Sequence, residues 1–177
     1  MLFMARIFST LILVLFVANI ASGETSKRSI ISNHEAWSAI LDTARESDEC
    51  WSMSQPIDKK AYKGSRLVSV RRGEIGLFIW FSKNEASEGQ VTYNGGYPFN
   101  GDGVLVDVDG EKFKLSLVQD DWAWSSPEDD KKIIRAMQSG AKAIVTAVSQ
   151  RNTKVVDTYS LKGFTAATKA AKKACEK

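Results

Sequence analysis

The chain has 177 residues, of which 44% are hydrophobic and 25% are charged. This composition is typical of a globular protein and excludes a wholly disordered or collagen-like chain. The 24 lysines and arginines and the 21 acidic residues leave a formal net charge of +3. No long basic run is present, so we expect no nucleic-acid partner. One histidine and two cysteines exclude a His-rich metal site and a Cys/His zinc-finger framework.

The first 23 residues have the three parts of a secretory signal peptide. Arg6 supplies the positive start, residues 7–17 are almost purely apolar, and Ala-Ser-Gly at 21–23 is a small-residue cleavage site. An N-terminal anchor is the alternative, but the apolar stretch is short for the roughly 20 residues that span a bilayer. We therefore expect a periplasmic or secreted protein with no transmembrane segment after cleavage.

Export changes the interpretation of the two cysteines, Cys50 and Cys175. In an oxidising compartment, two cysteines most simply form one structural disulfide. Closing so long a loop stabilises a fold by about 4–5 kcal/mol in the chain-entropy model. A redox-active role is the alternative, but no Cys-x-x-Cys motif is present to lower the pKa of a thiol.

Residues 24–36 are polar, and we interpret them as a flexible lead-in. Residues 35–46 are ambiguous, because their apolar residues share a helical face while Trp37, Ala39 and Leu41 also alternate as in a strand. The pattern alone slightly favours a helix. The strands predicted after this segment are residues 50–54, 67–72, 75–81, 90–93, 104–108, 112–118, 143–149 and 155–161.

Turn and capping signals join these strands and mark two helices. Gly73 predicts a hairpin between 67–72 and 75–81, and Asp109-Gly110 predicts one between 104–108 and 112–118. Trp80 lies in a dense apolar run, so we expect it in the core. The helix signals are Ser126 as N-cap, Pro127 at the first position, acids at 128–130 that complement the helix dipole, Gly140 as the stop, and an apolar face over residues 164–175.

These elements predict one domain over residues 37–177 of the α+β class, mainly β. We expect an antiparallel β-sandwich-like or barrel-like domain with about two helices, one of them at the C-terminus.

Several motifs occur in a characteristic order along the chain. They are Gly95-Gly96-Tyr97-Pro98-Phe99, Ala123-Trp124 with Asp129 and Asp130, Ala136-Met137-x-x-Gly140, Ser149-x-Arg151-x-Thr153, Asp157-Thr158-Tyr159-Ser160-Leu161-x-Gly163-Phe164, Cys50-Trp51 and Cys175. Over about residues 37–175 the chain resembles the invasion-associated locus B family. The resemblance implies an exported bacterial protein with a β-rich fold, in a family whose founding members are linked to host-cell invasion.

The family has no established catalytic residues, so the resemblance carries none over to this chain. It does imply a strand at residues 37–41, which we prefer to the helix. One departure is Asn152, where the family usually has glycine in Arg-Gly-Thr. Asparagine tolerates positive φ better than most residues, so the turn is expected to survive.

The aromatic residues are the candidates for a ligand surface. Trp122 and Trp124 lie two residues apart and face the same side of an extended segment. Tyr93 and Tyr97, near the Gly95-Gly96 turn, are expected to line that surface too. A stack of this kind suits a sugar or an aromatic ligand. The alternative is that the two tryptophans cap the core beneath the helix at Pro127.

Two polar residues are expected to be specific to the fold, because Arg151 is a candidate to bond the carboxylate of Asp157. Catalytic candidates are weak. His34 is the only histidine, and Asp157 and Ser160 point to opposite faces of a predicted strand, so a serine triad is not expected. The acidic residues near Asp109 lack calcium-loop spacing, and we expect no metal site and no cofactor.

The sequence therefore predicts an exported, non-catalytic binding protein whose partner is an envelope or extracellular protein or a glycan. Two alternatives remain open. One is a small-molecule or glycan binder that uses surface aromatics, and the other is an uncharacterised envelope hydrolase.

Overall fold

The computed structural model describes residues 28–43, 49–83 and 85–176, so the predicted signal peptide lies outside the described residues. The strands are β1 Arg28–His34, β2 Trp37–Asp42, β3 Glu49–Ser54, β4 Asp58–Lys63, β5 Arg66–Val68, β6 Gly76–Ser82, β7 Glu85–Asn94, β8 Val104–Val108, β9 Glu111–Leu115, β10 Leu117–Gln119, β11 Trp122–Trp124, β12 Lys142–Val148 and β13 Lys154–Ser160. The helices are α1 Pro127–Ser139 and α2 Phe164–Cys175. Neither described helix has the length and apolar run needed to cross a membrane.

The strands form two antiparallel sheets. Sheet A has the order β1-β2-β3-β6-β7-β11-β10, and sheet B has the order β5-β4-β13-β12-β8-β9. The inner face of sheet A packs against sheet B and both helices, and this common core includes Leu77 of β6, Val155 of β13 and Ile133 of α1. The prediction of a mainly β, sandwich-like α+β fold with a C-terminal helix is confirmed, and the sheets do not close into a barrel.

Helix α2 lies across the inner face of β1, β2 and β3. Phe164 at its first turn meets Trp37 edge to face, with ring centroids 4.9 Å apart. At its other end, Cys175 forms a disulfide with Cys50 of β3. The predicted disulfide is thus confirmed, and it fastens the last helix to the middle of sheet A.

Gly163 precedes α2 and allows it to pass close to β1. Its φ is 84°, and a Cβ at this position would lie 1.8 Å from the carbonyl oxygen of His34. Only glycine fits this backbone approach, because any side chain would collide with main-chain atoms that have nowhere to move.

Strand β2 confirms the strand interpretation of residues 37–41, and the helix that the apolar spacing favoured at 35–42 is wrong. Tertiary pairing decides this segment, because β2 is hydrogen-bonded to β1 on one side and β3 on the other. Residues 44–46 lie outside the described residues. Within the predicted lead-in, Arg28–His34 form β1, a largely exposed edge strand paired with β2.

Of the two predicted hairpins, one is present and one is not. The Asp109-Gly110 hairpin is confirmed, with φ values of 48° and 103° at its two central residues. The Gly73 hairpin is wrong, because β5 pairs with β4 in sheet B while β6 pairs with β3 and β7 in sheet A. Both predicted helices are present, and Asn152 adopts the expected positive φ, at 55°.

Candidate functional site

A buried ion pair links the connection from β5 of sheet B to β6 of sheet A with strand β13 of sheet B. Arg72 lies in the irregular segment between β5 and β6, and Asp157 lies in the middle of β13. Both guanidinium Nη atoms donate to the carboxylate, one to each oxygen, at 2.7 Å. The side chains are 6% and 0% exposed. Burial opposes the charge of Arg72, but the hydrogen bonds and charge of Asp157 prevail and raise the pKa of the guanidinium.

Tyrosines surround this pair. The Tyr93 hydroxyl donates to Asp157 Oδ2 at 2.7 Å, and the Tyr97 ring lies 5.1 Å from the Arg72 guanidinium carbon. Burial, assisted by the nearby negative charge, raises the pKa values of three phenols, namely Tyr93, Tyr97 and Tyr159. All three are therefore neutral over the physiological pH range.

A cleft of about 540 Å³ opens beside the ion pair. The charged residues of its lining are all basic among the described residues: Lys63, Arg71, Arg72 and Arg151. Its apolar walls are Val70, Tyr97, Pro98 and Val155. The cleft combines concentrated positive charge with an apolar wall, so it has the chemistry to hold an organic anion.

A second candidate surface lies on the outer side of sheet A, which faces away from the core. Its five rings are in a continuous row, and we call this row the aromatic face: Trp51, Trp80, Phe78, Trp122 and Trp124. Successive ring centroids are 4.4, 5.8, 5.5 and 6.2 Å apart. Trp51 is buried under its neighbours, and the other four rings are half-buried.

The aromatic face shields the polar strand that it crosses. Thr92 and Asn94 of β7 lie between β6 and β11 on this side of the sheet, and both are buried. Rings from the flanking strands therefore meet above them, as the 5.5 Å separation of the Phe78 and Trp122 centroids shows. The outcome is an apolar strip across four strands on a side of the sheet that is ordinarily polar.

The four aromatic residues predicted to form one ligand surface do not lie together. Trp122 and Trp124 do come together, with rings 20° from parallel. Tyr93 does not join them, because it pairs with Ala123 and so points to the opposite face of the sheet, into the core. Tyr97 lines the basic cleft instead. The single surface of four aromatic residues is therefore wrong.

Arg151 does not bond Asp157, which corrects the predicted pair. Asp157 is fully buried, as a residue specific to the fold would be, but Arg151 is exposed in the turn between β12 and β13. The Arg151 carbonyl accepts a hydrogen bond from Lys63, and Arg72 takes the place beside the carboxylate. Sequence reasoning missed Arg72 because nothing local marks which arginine crosses between the two sheets.

Trp80 is likewise corrected from a core residue to a member of the aromatic face. The alternation in β6 explains this, because Leu77, Ile79 and Phe81 fill the core while Phe78 and Trp80 point outward. The two-residue alternation of a strand, applied to this apolar run, was the sequence signal that would have separated the inward-facing residues from the outward-facing ones. The capping role predicted for Trp122 and Trp124 fails for the same reason, because they lie on the outer side of the sheet.

His34 and Asp157, the histidine and carboxylate of the serine triad that the sequence argued against, contact different partners. His34 Nε2 is 2.9 Å from Ser32 Oγ in the edge strand, and the Asp157 carboxylate is engaged by Arg72 and Tyr93. Asp130 does more than complement the helix dipole, because it is buried and accepts a 2.7 Å hydrogen bond from the Val91 amide. Across the described parts of the chain, no three His, Cys, Asp or Glu side chains are placed to share a metal ion.

Comparisons with known proteins identify the family. A family model described as invasion associated locus B (IalB) protein matches residues 37–172. No curated protein and no solved structure gives a significant match. Three of the motifs behind the resemblance meet at the buried ion pair, since residues 97–98, 149–153 and Asp157 line or adjoin the cleft beside it. The chain therefore belongs to the invasion associated locus B family.

Proposed function

We propose that this protein is exported and works by binding an envelope or extracellular partner through the aromatic face, rather than by catalysis. The observation that carries the proposal is the row of five rings on the outer side of sheet A. Tryptophan is enriched at protein interfaces and contributes a large share of binding energy where it is desolvated.

The row extends beyond the needs of the core. Inward-facing residues such as Leu77 and Ile79 already fill the inner side of β6, so the outward rings add nothing to that packing. Two exposed aliphatic residues continue the apolar strip at its ends: Ile30 of β1 is 63% exposed and Leu117 of β10 is 54% exposed. A contiguous apolar strip on a soluble domain is typical of an interaction surface.

Two features support export. The N-terminal sequence has the order of a secretory signal peptide, and the described part of the chain holds its two cysteines in one disulfide. Cys50 is completely buried, so the bridge is part of the packed core. This combination suits a protein that folds in an oxidising compartment.

Capture from an envelope extract tests the binding surface. We expect the oxidised protein to retain a partner that the Trp122→Ala, Trp124→Ala double variant loses, with an affinity at least about tenfold weaker. Tyr62→Ala is the matched control, because it removes an aromatic ring from sheet B without touching the aromatic face. Equal retention by the tryptophan variant would contradict the proposal.

The stacked Trp122 and Trp124 rings favour a second candidate, a glycan. Their planes lie 20° apart and their centroids 6.2 Å apart, and aromatic rings of this kind pack against the apolar face of a sugar ring. Titration of the protein with oligosaccharides, followed by tryptophan fluorescence, tests this function. We expect a saturable change that Trp124→Ala abolishes and Tyr62→Ala preserves, and a flat titration would count against a glycan.

A further inference from the structure

We propose that the basic cleft beside Arg72 binds a small organic anion that combines a phosphate-like dianion with a flat apolar group. This inference is independent of the proposed function, because the cleft opens at the ion pair between the sheets and the aromatic face lies on the outer side of sheet A.

The charges of the cleft call for a ligand with more than one negative charge. Arg72 is neutralised by Asp157 behind it. Arg71 and Arg151 are exposed and form no ion pair within the described chain, and Lys63 donates only to a backbone carbonyl. Three positive charges are therefore left without a counter-charge in one concavity, and guanidinium groups bind phosphate oxygens in a fixed fork.

The shape of the cleft calls for more than an inorganic ion. Its volume of about 540 Å³ falls within the range of small-molecule sites, about 300–1,000 Å³. Val70, Pro98 and Val155 form an apolar wall beside the cations. An ion such as phosphate would leave that wall in contact with water, whereas an attached ring would cover it.

Tyr97 gives the wall a preorganised aromatic element. Its ring contacts the Arg72 guanidinium carbon, 5.1 Å from the ring centroid, and makes a T-shaped contact with Phe99, with ring centroids 5.2 Å apart. Because the ring is already fixed, a flat ligand group would stack on the wall at little further cost in conformational entropy.

Calorimetry with phenyl phosphate, inorganic phosphate and phenol tests the ligand class on the oxidised protein. We expect saturable binding of phenyl phosphate, at least tenfold weaker binding of inorganic phosphate, and no measurable binding of phenol. Binding of phenyl phosphate is also expected to weaken as salt is added. The absence of saturable phenyl phosphate binding, or equal affinity for inorganic phosphate, would overturn the proposal.

Variants locate the site. Arg71→Gln with Arg151→Gln is expected to weaken phenyl phosphate binding at least tenfold while leaving thermal unfolding unchanged. Arg135→Gln is the matched control, because it removes an exposed arginine from α1 at a different cleft. Trp122→Ala is expected to have no effect, so failure here is distinct from failure at the aromatic face. Unchanged binding in the double arginine variant would overturn the assignment.

Vesicles containing phosphatidic acid distinguish a lipid headgroup from a free phosphate ester. We expect soluble phenyl phosphate to bind and to compete with any vesicle binding. Vesicle binding by a protein that does not bind phenyl phosphate would overturn the proposal, because a membrane surface would then be the ligand.

Discussion

Replacing Asp157 with asparagine tests whether the buried ion pair organises the fold. The change keeps the shape of the side chain but leaves the 6%-exposed Arg72 without its counter-charge. It also places an amide NH₂ where one of the oxygens now accepts from Arg72 or Tyr93. Breaking a buried pair from one side costs about 3–5 kcal/mol, a large share of the 5–15 kcal/mol that is typical of a whole domain.

Urea unfolding followed by tryptophan fluorescence measures this cost. Tyr93→Phe serves as the milder comparison, because it removes the hydroxyl that donates to the carboxylate and accepts from Arg72 but keeps the pair, so we expect a loss of about 2 kcal/mol. The Arg72→Met, Asp157→Leu double variant is expected to lose less than the sum of its single variants. A loss below about 1 kcal/mol for Asp157→Asn would refute the reasoning.

Three further predictions concern the backbone, the disulfide and pH. Gly163→Ala is expected to lower the free energy of unfolding by about 3 kcal/mol or more, because its Cβ would meet the His34 carbonyl. Gly64→Ala is the control, because Gly64 has a φ of 60° with open space around it, and we expect it to cost only about 1 kcal/mol. Equal losses in the two variants would contradict this reasoning. Cys50→Ser with Cys175→Ser removes a bridge between residues 125 positions apart and is expected to cost about 5 kcal/mol in chemical unfolding, so an unchanged midpoint would exclude a structural role. The pKa values of three buried phenols are raised, so their stabilising effect is present below about pH 10 and declines above it. Unfolding and ionisation of these three phenols, Tyr93, Tyr97 and Tyr159, should therefore rise together in alkali. The absorbance is followed in a Tyr62→Phe background, which removes the fourth tyrosine, and ionisation of the three without unfolding would argue against their burial.

Local signals were sufficient where a short segment determines its own geometry. Asp109-Gly110 permits two consecutive positive φ values, and the hairpin forms there. Ser126 and Pro127 set the first turn of α1, where the Ser126 side chain accepts from the Asp129 amide. The disulfide followed from the number of cysteines and the expected compartment, without any knowledge of the fold.

Long-range pairing was not readable from the sequence. The lysine-rich strand β4, Asp58–Lys63, has little apolar alternation because it lies near the edge of sheet B, where charged residues are tolerated. The glycine at position 64, with φ 60°, was the one local sign of the turn into β5. Arg72 and Asp157 meet only after the two sheets stack, so the sequence offered several arginines and no basis for choosing among them.

The sequence predicted which aromatic residues lie on the same side of a strand, but not whether that side faces the core or the solvent. The two-residue spacing of Trp122 and Trp124 correctly placed them on one face. Which face becomes the core depends on where sheet B and the helices pack. Because they pack on the side of Tyr93, Tyr93 is buried in the core and the two tryptophans lie on the outer side.

Cell fractionation with thiol labelling and intact mass measurement tests the central claim, export with an oxidised bridge, most directly. The account predicts a chain that begins near Glu24, lies outside the cytoplasm, and fails to react with a maleimide at Cys50 or Cys175 until a reductant and a denaturant are added. A full-length chain that remains in the cytoplasm with both thiols reactive would contradict it.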